Sequence, residues 1–305
     1  MKNLCLFLLA AVTSACGAGF TAAPAAHAGS ALRAHVQKTA LVYVSDHSNN
    51  LVDVFDIRGN LRYSITDGVK APAGLFVDAQ HDLWVANPGA NNVLVFRRGS
   101  TTPSAALHDP NQPNDVAVCH HRTAFVADSL NLGGIAVFPP GHKNPTRRLV
   151  AQQSGQSGLE FYVACDLGGN IFATGVIGAS PFPATVGWRH ARESGYYLLQ
   201  PTAQSESGIK ATAARTLLIP TYTAPSQPAL VEFTEAGTPT GRAIHTGGTD
   251  LWGDIALDAR EEVVFGVDTP NDSVVAREFP GGELVRTYTN GNLIQPAGVA
   301  VDPGD

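Results

Sequence analysis

The chain has 305 residues, a formal charge of −6 and 15% charged residues, with 31 glycines and 20 prolines. That length suits one large domain, and that glycine and proline content suits an all-β chain with many tight turns. A mild negative charge with no basic run gives nucleic acid no electrostatic footprint, and past the N-terminus no apolar run approaches the ~20 residues that span a bilayer.

The first element in chain order stands apart from the fold. Lys2 followed by LCLFLLAAV and then by small residues reads as a secretory signal, a short positive region ahead of an apolar stretch. Two processing routes fit it. Thr13-Ser14-Ala15-Cys16 resembles a bacterial lipobox, in which Cys16 becomes the lipidated first residue. Cleavage after Ala26-His27-Ala28 satisfies the A-x-A pattern instead. The first route divides the chain into a signal (1–16), a flexible Ala- and Gly-rich tether (17–38) and a domain (39–305) at the cell envelope, bound to membrane only through its lipid.

From Leu41 onward the sequence repeats. Short alternating runs end on Phe55, Phe96, Phe138, Trp188, Phe233 and Phe279, spaced 41–50 residues apart, the period of a four-stranded propeller blade. Each repeat reads as strands a to d. In chain order the b strands are 41–46, 83–87, 124–128, 171–175, 217–220 and 263–268, and the c strands are the aromatic-ended runs. The d strands are less regular, for example 61–66, 196–200 and 283–289. The a strands are 72–78, 113–119, 161–166, 207–213, 252–258 and 296–302. β-Branched and aromatic enrichment between turn residues supports strands throughout.

The order of these strands predicts how the ring closes. The repeats start on a b strand at Leu41, and PAGVAVD at 296–302 is an a strand without partners after it. Joining the two ends completes a sixth blade and removes two strand edges. The segments PAGLFVD, HDLWVAN, NNVLVF and PAGVAVD resemble the NHL-type repeat, whose strands read P-x-G-I-A-V-D, G-N-L-Y-V-A-D and N-N-R-V-x-V-F. The resemblance covers nearly all of 41–305. It implies a six-bladed, all-β propeller but no one activity, since the repeat serves enzymes and binding scaffolds alike.

In such a propeller the b–c and d–a loops share one face, so residues at those junctions converge on the central channel. Asp46, Asn87, Asp128 and Asp268 stand at b-strand ends, and Asn114, Asp115 and Asp254 at a-strand starts. Carboxylates around one channel mouth are the ligands a hard cation such as Ca²⁺ takes, roughly six to eight oxygens at a time. The same residue types also cap turns by bonding the local backbone. Pro113-Asn114-Asp115-Val116-Ala117-Val118 resembles the P-N-D-V-A-V segment of the SMP-30/gluconolactonase family, which implies that Asn114 helps bind a divalent metal. The positions aligned with Asn114 are Ala73, Phe161, Ser207, Gly253 and Ala297, so Asn114 alone of these six offers a ligand.

Histidines and cysteines complete the inventory. His47 follows the first b strand near the same face, His120 and His121 fall in an a–b turn on the opposite face, and His245 lies near a d strand. With Cys5 in the signal and Cys16 in the lipobox, the domain retains Cys119 and Cys165. These fall in a strands of consecutive repeats, one position out of phase, and opposite parity aims both into the layer between two blades. A disulfide there is open to an exported protein; two buried thiols packed as small apolar groups are the alternative. Segments 178–183 and 221–228 depart most from the repeat and read as long irregular loops, with Trp188, Arg189, Tyr196, Tyr197 and Tyr222 nearby. The expectation is a non-catalytic binding or scaffold module that presents one propeller face to a protein or small-molecule ligand. The alternative is a lactonase-like hydrolase or a lyase working at the channel mouth.

Overall fold

The computed structural model describes residues 40–109, 111–130, 133–153, 156–177, 182–199, 207–223, 227–245 and 252–304. They form a six-bladed β-propeller. Blade I holds β1 (Leu41–Asp46), β2 (Leu51–Asp56) and β3 (Leu61–Ile65); blade II holds β4 (Leu75–Val77), β5 (Leu83–Asn87), β6 (Asn92–Phe96) and β7 (Ala105–His108). Blade III follows with β8 (Pro113–Val118), β9 (Ala124–Asp128), β10 (Ile135–Phe138) and β11 (Arg147–Leu149). Blade IV has a short leading strand, β12 (Gln152–Gln153), then β13 (Gln156–Cys165), β14 (Ile171–Ile177), β15 (Phe182–Trp188) and β16 (Tyr196–Leu198). Blade V comprises β17 (Lys210–Ala211), β18 (Thr216–Thr223), β19 (Gln227–Thr234) and β20 (Pro239–His245), and blade VI β21 (Trp252–Leu257), β22 (Val263–Asp268), β23 (Ser273–Glu278) and β24 (Leu284–Tyr288).

The closing strand β25 (Pro296–Asp302) returns to blade I and pairs antiparallel with β1, Leu41 opposite Asp302 and Val44 opposite Val299. The ring is therefore closed three plus one, as the strand order predicts. Apolar burial explains why no repeat is self-sufficient. The buried hydrophobics fall into six clusters, and each lies at a junction between neighbouring blades rather than inside one. A blade alone exposes both faces to water; a neighbour on each side covers them.

Five of the repeat aromatics occupy one structural position. Phe55, Phe96, Phe138, Trp188 and Phe233 pair with Val42, Leu83, Ala124, Ile171 and Leu217 at the start of each b strand, and all five are buried. Phe279 does not share that register. Arg277 sits opposite Val264 instead, and Phe279 follows β23, bonding the Glu262 carbonyl and lying 4.5 Å beneath the Arg242 guanidinium.

The described parts of the segments expected as irregular loops, 182–183, 221–223 and 227–228, are strand. Val176 pairs with Pro183 and Tyr222 with Pro228, so β14–β15 and β18–β19 run past the length of the other b–c pairs; only 178–181 and 224–226 lie outside the described residues. Proline at a strand position hid the pairing, because it reads as a strand breaker while lacking only one donor. Trp188 is core, fully buried at junction III–IV. Across that junction Cys119 and Cys165 form a disulfide, with Cα atoms 5.9 Å apart. Cys16 and both processing positions lie outside the described residues.

Candidate functional site

The inner strands meet around the axis at one level. The residue before Leu75, Val116, Val163, Ile209, Ile255 and Val299 is Gly74, Asp115, Tyr162, Gly208, Asp254 and Gly298 in blades II to VI and then I. Four of these strands shift register just there, between Pro113 and Asp115, Glu160 and Tyr162, Trp252 and Ile255, and opposite Val44–Asp46. A bulge re-aims the residue beside it, and here it turns Asp115 and Asp254 inward. Glycine makes the room. A Cβ at Gly74 would overlap the Asp115 carboxylate, one at Gly208 would meet the Asp254 Cα at 2.8 Å, and one at Gly298 would strike the Ala73 carbonyl.

Both carboxylates are fully buried. Asp115 Oδ2 accepts from the Val163 N–H at 2.9 Å, Asp254 Oδ1 from Ile255 at 2.8 Å and Asp254 Oδ2 from Val299 at 3.1 Å. Lys210 Nζ stands 3.9 Å from Asp254. Burial, and then the Asp254 charge, push the Asp115 carboxyl well above the ordinary aspartate value; Lys210 and the backbone donors hold it back only in part. Burial raises Asp254 likewise, against Lys210 and its three backbone donors. Asp115 Oδ1 has no hydrogen-bond partner. The two acids thus form one buried titrating pair beside a lysine, with Tyr162 kept neutral by burial and by both carboxylates. The pair can retain a proton, but neither acid reaches solvent.

The b-strand ends behave differently. Asp46 takes the Asn49 N–H and side chain and, across the d–a connection, the Ile294 N–H at 3.1 Å. Asn87 accepts from Lys70 N–H at 2.6 Å and donates to Gly68 and Asn92. Asp268 accepts from Asn271 at 2.8 Å. Asp128 pairs with Arg148, whose other nitrogen lies 3.0 Å from Asp109. Asp46, Asn87 and Asp128 thus tie their own b–c turn, or the strand beside it, to the connection entering the blade, while Asp268 holds its own b–c turn. Asn114 donates to the Phe161 carbonyl at 2.7 Å, a bond between blades III and IV. Similar bonds join Thr174 to Ser207, Thr269 to Pro296 and the Gly208 N–H to Gly253. His47 Nδ1 meets the Pro72 carbonyl at 3.3 Å and so belongs to this stitching too.

Among the described residues no three histidine, cysteine or acidic side chains converge as a metal site. Of the seven predicted ligands only Asp115 and Asp254 come together, while Asp46, Asn87, Asp128, Asp268 and Asn114 are engaged in the separate contacts given above.

A second ring of contacts was missed from the sequence. In every a–b turn described, the residue four past the last residue of the a strand has positive φ: His81 (63°), Arg122 (58°), Gly169 (77°), Arg215 (62°) and Glu261 (56°). Four of the five reach back to the preceding blade. His81 Nδ1 lies 2.6 Å from Asp302, Arg122 bonds Asp78 at 3.0 Å, Arg215 approaches Asp166 at 3.8 Å, and Glu261 accepts from the Ala213 N–H at 2.6 Å. The side chains are chemically unlike, so residue type gives no repeat signal. Only their left-handed backbone unites them.

The fold is that of a six-bladed propeller, and solved structures agree. A chain from the nidogen/laminin complex matches with a TM-score of 0.66 at 15% identity, covering 86% of this chain and 98% of its own. A chain of Kuenenia stuttgartiensis hydrazine synthase matches at 0.60 and 14% identity, covering 85% of each chain. A protein of unknown function from Desulfotomaculum acetoxidans matches at 0.61 and 13% identity, with 87% and 99% covered. At such identities the likeness is one of fold. No family model and no curated protein matches the sequence.

Proposed function

We propose that the chain is a non-catalytic binding module, exported and tethered by a lipid on Cys16 to a bacterial envelope, which offers one propeller face to a partner. The observation that carries this reading is where the acids go. Those at the b-strand ends hold turns or connections, and the axial pair lies buried under its own backbone donors. Architecture uses the residues that an active site would need. The neighbour described as a nidogen/laminin complex is consistent with a propeller that docks a protein. Photo-crosslinking in intact cells, with a probe residue placed on the a–b turn face or on the opposite face, tests it. A discrete adduct from one face only is expected. Hydrolysis of lactones or esters by the purified protein, abolished in Asp115→Asn, would replace this reading with the enzymatic one.

A further inference from the structure

Among the described a–b turns the back-reaching ring is interrupted once. At junction III–IV the left-handed position is Gly169, which has no side chain to send back. In blade III, Cys119 holds the place that Asp78, Asp166, Asp258 and Asp302 hold in other blades. Asp78 accepts from the Gln80 and Asp82 N–H groups and Asp166 from the Asn170 N–H, so those carboxylates close their own turns. Cys119 instead reaches across to Cys165. Beside it lies a pocket of about 270 Å³ lined by Cys119, His121, Phe125, Leu167, Gly169 and Ala191, among others. A Cβ on Gly169 would meet nothing within 4 Å, so there is space where an arginine stands in blades III and V.

We infer that Cys119–Cys165 is a thiol-exchange site, at which a low-molecular-weight thiol attacks Cys119 in the folded protein. Exchange depends on access and on which sulfur is reached. Both cysteines are half-buried beside the junction core, and of the two only Cys119 lines the pocket. Leu167, another lining residue, is 80% exposed, so the pocket opens to solvent. No carboxylate is among the lining residues to repel an incoming thiolate. The volume, just under the usual range for ligand sites, suits a small thiol better than a tripeptide. In the exchange the incoming sulfur bonds Cys119 Sγ as the bond to Cys165 breaks. Cys165 leaves with the electron pair and takes up the proton that the incoming thiol gave to water. One sulfur is oxidised as the other is reduced, which leaves a mixed disulfide on Cys119 and a thiol on Cys165. The inference rests on junction III–IV and is independent of the binding role proposed above.

The test is reduction of the disulfide-bonded chain by 2-mercaptoethanol, quenched with acid and read by intact mass and peptide mapping. The rate should rise in proportion to thiol concentration and stay unchanged by urea below the unfolding transition. The first adduct should map to Cys119, with Cys165 as the free thiol. Glutathione should be about tenfold slower than 2-mercaptoethanol once each is normalised to its rate on the urea-unfolded chain. Gly169→Arg puts into the gap the residue found in blades III and V, and should slow exchange about tenfold in the folded protein while leaving the unfolded rate unchanged. The glutathione comparison needs no substitution and stands even if that variant folds poorly. Reduction that accelerates with urea throughout, as it must if only the opened chain reacts, overturns the inference. So does an adduct found first on Cys165, or equal normalised rates for the two thiols.

Discussion

Arg148 stands between two carboxylates, Asp109 and Asp128, each with a side chain wholly out of solvent. Removing one partner of a buried pair costs more than the pair contributes, because the remaining charge is left dry. Arg148→Ala should therefore lower unfolding stability by about 3 kcal/mol, read as a drop in urea midpoint at constant slope. At the axis the sign is reversed. Asp115 and Asp254 have folded pKa values raised above those of the unfolded chain, chiefly by burial. From about pH 4 upward the unfolded state loses protons that the native state keeps, so stability falls as pH rises until the raised values are passed. Asp115→Asn keeps an oxygen for the Val163 N–H and removes the charge. Its stability should equal that of the native protein near pH 4 and exceed it by about 1 kcal/mol near pH 7. A parallel pH profile for the two proteins would show that Asp115 is ionised in the fold.

The inner strands are where packing is least forgiving. Gly298 lies against Ala73 and Gly74 of the neighbouring inner strand, so a methyl there meets backbone, which cannot turn aside as a side chain can. Gly298→Ala should cost about 2 to 3 kcal/mol, whereas Gly99→Ala, with open space around it, should cost less and only through its φ of 74°. These elements also mark what could be read from sequence. The b and c strands were legible because alternation and a terminal aromatic recur at a fixed period, from Phe55 through Phe233. Blade VI shows the limit: Phe279 keeps the period by eye, yet Arg277 holds the equivalent place. The axial acids were visible as residues, but not their burial, because bulges and facing glycines in other blades decide it. The ring of left-handed residues left no trace, since His81, Arg122, Gly169, Arg215 and Glu261 share a backbone angle and no chemistry.

At the scale of the whole ring, two devices oppose opening, and they lie at different junctions. β25 closes blade I with hydrogen bonds to β1, and its Val299 is buried with Val42 and Val44 in the core shared with blade VI. The disulfide locks blade III to blade IV across 46 residues of chain. In the chain-entropy account a loop of that length is worth roughly 4 kcal/mol, drawn from the unfolded state and indifferent to where the native seam lies. Oxidised protein should accordingly resist urea better than reduced protein by about 2 to 4 kcal/mol, with the double substitution Cys119→Ser/Cys165→Ser matching the reduced form. The export proposed above would bring the chain into oxidising conditions, in which such a bond persists. If reduction left the midpoint unmoved, junction III–IV would be held by its apolar core alone, and Trp188 with Val163 and Ile171 would carry the load assigned to sulfur.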